Sequence, residues 1–218
     1  MEFAVIFDMD GVFVDSHKAI WDSHNEVLGY YGAHLSDEDI KQYLGKSLRD
    51  DIVAWNKKYG LNLDLETHTK ASWEIQLRIL GEMKPDSGLV ALLEDLKSHN
   101  ILMGVGTSSQ RFRAEKILEI LNIRDYFSTV VSANDVELHK PNPELFLEVA
   151  KRLRVGPRRC VVIEDAQSGI ESAIRGMMYA IGYSNGHNDY EELMGSDLVI
   201  SNFSQVSYER IRRMVYDN

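Results

Sequence analysis

The sequence predicts an α/β protein, a doubly wound parallel sheet interrupted by an inserted helical segment. Three observations carry that expectation. Six short runs, at 4–7, 101–105, 129–131, 160–163, 179–181 and 198–200, are continuously apolar, as strands buried on both faces are, instead of alternating as half-solvated strands do. Helical patterns separate most of these runs, and strands alternating with helices imply crossover connections and parallel pairing. The stretch from about 16 to 84 carries no convincing strand.

In chain order, the first run stops at Asp8-Met9-Asp10-Gly11, with a third acid at Asp15. The strandless stretch that follows has helical spacing at Trp73, Leu77 and Leu80 and turn material at 29–33 and 59–63, so it reads as a helical insert after the first strand. Gly81 and then Pro85-Asp86-Ser87-Gly88 form a breaker cluster where the insert returns, a hinge suited to a lid over the end of the sheet. The predicted domains are a core of 1–15 and 86–218 and a helical cap of 16–85. Leu89, Leu92, Leu93 and Leu96 repeat at i, i+3, i+4, i+7 ahead of the strand at 101–105. Ala114, Ile117, Leu118 and Leu121 do the same after it. Asn142-Pro143-Glu144 offers a capping side chain, a proline for the first helical position and an acid for the first turn, and Phe146, Val149, Ala150 and Leu153 continue that helix.

A chain of 218 residues with 44% hydrophobic content can bury a substantial core, as one large domain or one domain with an insert. Its 24 basic and 34 acidic residues leave a net charge of −10, which opposes attraction to nucleic acid or an anionic membrane. A small ligand is the expected partner. The lone cysteine, in Cys160-Val161-Val162-Ile163, reads as core and forms no internal disulfide, which points to a reducing, cytoplasmic setting. The apolar stretch at the N-terminus is too short for a signal peptide, and no run approaches the roughly 18 apolar residues of a membrane span. The oligomeric state is not legible; a monomer is compatible with the sequence.

Ligands of open α/β sheets bind outside the carboxyl ends of the strands. Those ends hold one coherent set: Asp8 and Asp10, then Thr107-Ser108-Ser109, then Glu164-Asp165, with Lys140 just ahead of the helix that follows the strand at 129–131. Phosphoryl transfer needs these types. A phosphate monoester repels anionic attackers, so a site must supply a positioned nucleophile, a hard cation, donors for the phosphate oxygens and an acid for the leaving group. An aspartate can be that nucleophile. Magnesium prefers oxygen ligands, which suits Asp8, Asp165 and Glu164. Lys140 would offset the charge of carboxylates and phosphate together, while the Thr107 hydroxyl and the N–H groups of Ser108 and Ser109 would donate to phosphate. Asp10, near the first carboxylate without adjoining it, is placed to protonate the leaving oxygen and then to activate water.

In chain order the motifs Phe7-Asp8-Met9-Asp10-Gly11 with Asp15, Thr107-Ser108, Lys140-Pro141-Asn142-Pro143-Glu144 and Val162-Ile163-Glu164-Asp165-Ala166-Gln167-Ser168-Gly169-Ile170 resemble those of the haloacid dehalogenase superfamily of phosphohydrolases. The insert resembles the small helical cap of its phosphoglycolate phosphatase and β-phosphoglucomutase branch. The resemblance implies a Rossmann-like core in which Asp8 is nucleophile and metal ligand and Asp10 is acid/base and gives its backbone carbonyl to Mg2+. It further implies that Thr107 and Lys140 bind phosphate and that Asp165 completes the metal site. A true dehalogenase lacks the second aspartate, so Asp10 favours phosphate chemistry. The expected activity is hydrolysis of a small phosphorylated metabolite through an aspartyl-phosphate.

Two alternatives use similar parts. Receiver domains also set acids, a hydroxyl and a lysine around magnesium, but they are shorter, lack a cap and carry no late Glu164-Asp165 pair. A mutase of this branch shares the core, and Val12, in place of the threonine common in the phosphatases, leans that way. Such mutases, however, place a cap histidine and a cap arginine where this chain has Ile20 and Leu48. Substrate choice falls to the cap, for which His17, Lys46, Arg49 and Trp73 are the candidates. As metal ligands His17, His24 and His139 lack a second histidine or cysteine at metal-site spacing and read as surface or capping residues, and the run Arg152, Arg154, Arg158 and Arg159 as a solvated face.

Overall fold

In the computed structural model, residues 3–14, 16–43, 48–186, 188 and 190–217 are described. Asp15 and Lys46, and the side chain of His17, lie outside them. The chain divides into two compact units, Met1–Asp15 with Lys84–Asn218, and Ser16–Met83.

The larger unit is built on six parallel strands: β1 (Ala4–Phe7), β2 (Leu102–Gly106), β3 (Thr129–Val131), β4 (Cys160–Glu164), β5 (Tyr179–Tyr183) and β6 (Leu198–Ile200). Their order across the sheet is β3-β2-β1-β4-β5-β6. The chain therefore builds outward from β1 on one side, then returns to start the other half beside it. This reversal, between β1 and β4, is the switch point where open α/β sheets form a crevice. Phe7 lies opposite both Val105 and Ile163, so the residues after β1, β2 and β4 leave the sheet at nearly the same level.

Ala4, Ile6, Cys160, Val162 and Ala180 face one side of the sheet and share a core with Phe146, Val149, Leu153, Ile170 and Ala173. These last come from α7 (Glu144–Leu153) and α8 (Gln167–Arg175), whose apolar residues recur at helical spacing. Val5, Phe7, Val161 and Ile163 point the other way by the strand period of two and are equally buried. Both faces being covered, the strands have no polar alternation. The Cys160 thiol sits inside this core, and burial pushes its pKa up to about 12.

The smaller unit is α1 (Ser16–Gly29), α2 (Asp37–Tyr43), α3 (Leu48–Tyr59) and α4 (Leu65–Glu82). Gly81, a predicted breaker, is the penultimate residue of α4; the chain turns only after Glu82, and Asp86 then caps α5 (Ser87–Ser98) by accepting the Leu89 N–H at 2.9 Å. Trp21, Leu28, Leu35, Tyr43, Ile52 and Trp55 form the core of the helical unit. His24 is buried beside them, not at the surface as its sequence context suggests, with Nδ1 3.0 Å from Nε2 of His68 on α4. Among the described residues no helix is long and apolar enough to cross a membrane.

Candidate active site

Asp8 follows β1 directly, and its backbone N–H donates to Ile163 O at 2.9 Å, which ties it to the neighbouring β4. That pairing brings its side chain beside Glu164, the last residue of β4, and Asp165 just beyond it. One carboxylate oxygen from each of Asp8, Glu164 and Asp165 lies within 4.8 Å of the others. Lys140 reaches the same point from the loop ahead of α7. Its Nζ donates to Asp8 Oδ1 at 2.5 Å and to Glu164 Oε1 at 2.7 Å, and all three side chains are no more than 7% exposed. Lys140 taken alone reads as a surface lysine; the fold buries it.

The charges do not balance. Burial raises the Asp8 pKa well above the ordinary carboxylate value, and although Lys140 opposes this, Glu164, Asp165 and Asp10 push it further up. Burial and Glu164 likewise raise Asp165 to about 7 against the pull of Lys140. Burial works against the Lys140 charge, yet Asp8 and Glu164 outweigh it and hold the ammonium well above its usual range. Three carboxylates, those of Asp8 and Glu164 buried and that of Asp165 half-buried, around one ammonium leave an excess of negative charge on an all-oxygen donor set. A hard divalent cation fits that set, since it would relieve the repulsion that raises the two aspartates.

Glycines permit this crowding. A Cβ on Gly11, whose φ is +82°, would fall on the Asp165 carboxylate, and one on Gly169 would fall on that of Glu164. Glu164 is fixed further by the Ala166 N–H, which donates to Oε2 at 2.5 Å.

Thr107 follows β2, wholly buried, with its N–H donating to Val131 O at 2.9 Å. It is no helix cap. Helix α6 (Arg111–Ile120) begins four residues later, and Thr107 Oγ1 accepts the Ser109 N–H at 3.0 Å. That N–H, expected to be offered to phosphate, is thus engaged within the loop, while Ser108 is exposed. Of the cap candidates, Arg49 is exposed on α3 and Trp73 half-buried on α4.

Two residues that sequence reasoning passed over join the site. Arg113, one helical turn beyond Ser109, bonds Asp10 Oδ1 and Oδ2 through Nη1 at 2.7 and 3.0 Å. Asn185 Nδ2 donates to Asp165 Oδ2 at 2.9 Å and to the Gly11 carbonyl at 3.2 Å. The Gly11 carbonyl can only accept, which decides that the nitrogen is the atom facing it. Extending the fifth strand from 181 to Tyr183 would have brought Asn185 within two residues of a strand end, where the other site residues were found.

Residues 5–182 match the family described as haloacid dehalogenase-like hydrolase. The chain is 31% identical over 198 residues to a phosphorylated carbohydrates phosphatase of Thermotoga maritima, covering 90% of this chain and 92% of that one. It is 30% identical over 215 residues to the β-phosphoglucomutase of Bacillus subtilis, covering 94% and 92%. The crystal structure of a putative β-phosphoglucomutase from Thermotoga maritima superposes with a TM-score of 0.86 at 28% identity, covering 100% of this chain and 99% of that one. The parallel sheet with its reversal at β1 and β4, the acids gathered there and a match over most of the chain lead to one conclusion: this protein is an enzyme of the haloacid dehalogenase-like hydrolase family.

Proposed function

We propose that the chain is a magnesium-dependent phosphatase of small phosphorylated metabolites, sugar phosphates foremost, which carries the phosphoryl group transiently on Asp8. The observation behind this reading is the placement of Asp8: a buried carboxylate at the carboxyl end of β1, held by Lys140, two residues before an acid with a separate set of partners. Sugar phosphates come first because the relatives above are named for phosphorylated carbohydrates and phosphoglucose.

A carboxylate oxygen of Asp8 attacks phosphorus as the ester P–O bond breaks, and the proton of Asp10 goes to the departing oxygen. Asp10, now ionised, takes a proton from water; the water oxygen attacks phosphorus, the Asp8–phosphorus bond breaks and inorganic phosphate leaves. Lys140 holds Asp8 in place and offsets the charge that gathers as phosphate arrives, and Thr107 and Ser108 donate to phosphate oxygens. Asp8, Asp165, Glu164 and the Asp10 backbone carbonyl would hold magnesium, which when bound offsets the phosphate charge and orients the group. Substrate selection belongs in this reading to the helical unit.

A phosphomutase is the second reading, favoured by the relative of that name. The positions noted above weigh against it, for Ile20 is half-buried on α1 and Leu48 packs against the core of the helical unit. Neither residue can charge-pair with a second phosphate.

Asp8→Asn tests the phosphatase reading. It should abolish turnover of sugar phosphates and leave no acid-stable phosphoenzyme after rapid quenching, with an unchanged circular dichroism spectrum. Near-normal turnover by the purified variant would refute the mechanism.

A further inference from the structure

We propose that Arg113, together with Ser109, is a positioning residue for Asp10, orienting the carboxyl group that passes a proton to the leaving oxygen. The inference rests on the acid/base reading of Asp10 given above. The three side chains close a triangle. Arg113 Nη1 donates to Asp10 Oδ1 at 2.7 Å and Oδ2 at 3.0 Å, Ser109 Oγ donates to Asp10 Oδ2 at 2.7 Å, and Arg113 Nη1 donates to Ser109 Oγ at 2.5 Å.

The local fold explains how they meet. Ser109 ends the turn that leaves β2, before the extended N-cap Gln110, and Arg113 stands four residues on, in the first turn of α6, where its side chain reaches back to the Ser109 hydroxyl. The turn after β1 is equally constrained: Phe13 and Val12 donate their N–H groups to Met9 O at 2.9 and 3.3 Å, and Gly11 donates to Val14 O at 3.0 Å. The backbone beneath Asp10 is therefore fixed, and its side-chain torsions are what Arg113 and Ser109 restrain.

The plainer role would be to fasten α6 to the sheet. That task is already met: Ala114, Ile117 and Leu118 bury the inner face of α6, and Arg111 bonds Asp135 at 2.6 Å and Val130 O at 3.2 Å on the β3 side. An additional pair with an acid that is 31% exposed adds little to stability. Orientation is different, because proton transfer needs the carboxylate oxygen within hydrogen-bond reach of one particular ester oxygen.

The test uses Arg113→Met, Arg113→Lys and Ser109→Ala in the full-length protein with magnesium, followed by rapid quenching of phosphoenzyme. Fructose 1-phosphate is the alkyl ester and p-nitrophenyl phosphate the aryl ester, whose leaving group departs readily as an anion and needs little protonation. Arg113→Met should slow phosphorylation by the alkyl ester roughly tenfold or more, and by the aryl ester far less, with KM little changed. Arg113→Lys should recover part of the rate, Ser109→Ala should show a smaller loss of the same kind, and Arg113→Met should cost nothing further in an Asp10→Asn background. Equal losses on both esters, a full loss persisting in the Asp10→Asn background, or no loss at all would overturn the proposal. Failure of the wild-type protein to form phosphoenzyme from either ester would instead sink the phosphatase reading, and this inference with it.

Discussion

Asp165 shows how much a site owes to residues that never meet the substrate. Its side chain lies among like charges, and without a neutral donor on the far oxygen the carboxylate could turn away from Asp8 and Glu164. The Asn185 amide supplies that donor, and the same nitrogen bonds the Gly11 carbonyl, so one side chain ties the turn after β1 to the end of β4. Asn188 adds a bond of 2.7 Å to the Asp165 backbone carbonyl. Partners of this kind are commonly worth about 10- to 100-fold in metal affinity. Asn185→Leu should therefore weaken magnesium binding by about that factor in calorimetric titration, with Tm in chelator little altered. Unchanged affinity would mean that Asp165 is oriented without it.

At the scale of elements, α1 and α4 are joined by a contact unlike the rest of the helical core. His24 and His68 stack with ring centroids 5.1 Å apart, and both lie against Trp55. Burial, aided by the neighbouring His68, lowers His24 to about 3, and burial lowers His68 as well. The unfolded chain, with histidine near 6.5, then binds more protons than the folded one between pH 6.5 and about 3. The stability due to keeping His24 neutral is complete above pH 6.5 and is lost progressively as the pH falls toward 3. Urea unfolding of the helical unit, followed by tryptophan fluorescence, should shift to lower urea between pH 7 and pH 5, and His24→Phe should flatten that dependence. An equal pH slope in the variant would place the titrating group elsewhere.

For the whole molecule, the question is where the phosphoryl group goes. The chain matches a phosphatase and a mutase at nearly the same identity and coverage, so overall likeness cannot separate the two activities. What separates them is the requirement that a mutase shield its phosphoenzyme from water while a bisphosphate turns around, which demands charged contacts beyond the core. With Ile20 and Leu48 at the positions noted, water is the expected acceptor. Incubation with β-glucose 1-phosphate and magnesium, primed with the 1,6-bisphosphate, should yield at most inorganic phosphate. Accumulation of glucose 6-phosphate without phosphate release would establish the mutase.

By itself the sequence determined the strands and the residues that end them. A strand covered on both faces must be apolar nearly throughout, so the first polar residues mark where it ends; Asp8, Thr107 and the pair Glu164-Asp165 stand at such ends, and β1 and β3 match their apolar runs end to end. Those signals are local. The tertiary structure alone decided that β4 pairs with β1, that Lys140 is buried between Asp8 and Glu164, and that His24 meets His68. It alone joined Arg113 to Asp10, 103 residues apart in the chain. Arginine, asparagine and histidine are as common on solvated faces as in sites. Their role is set by which neighbour the packing brings within hydrogen-bond reach, and no spacing along the chain encodes that distance.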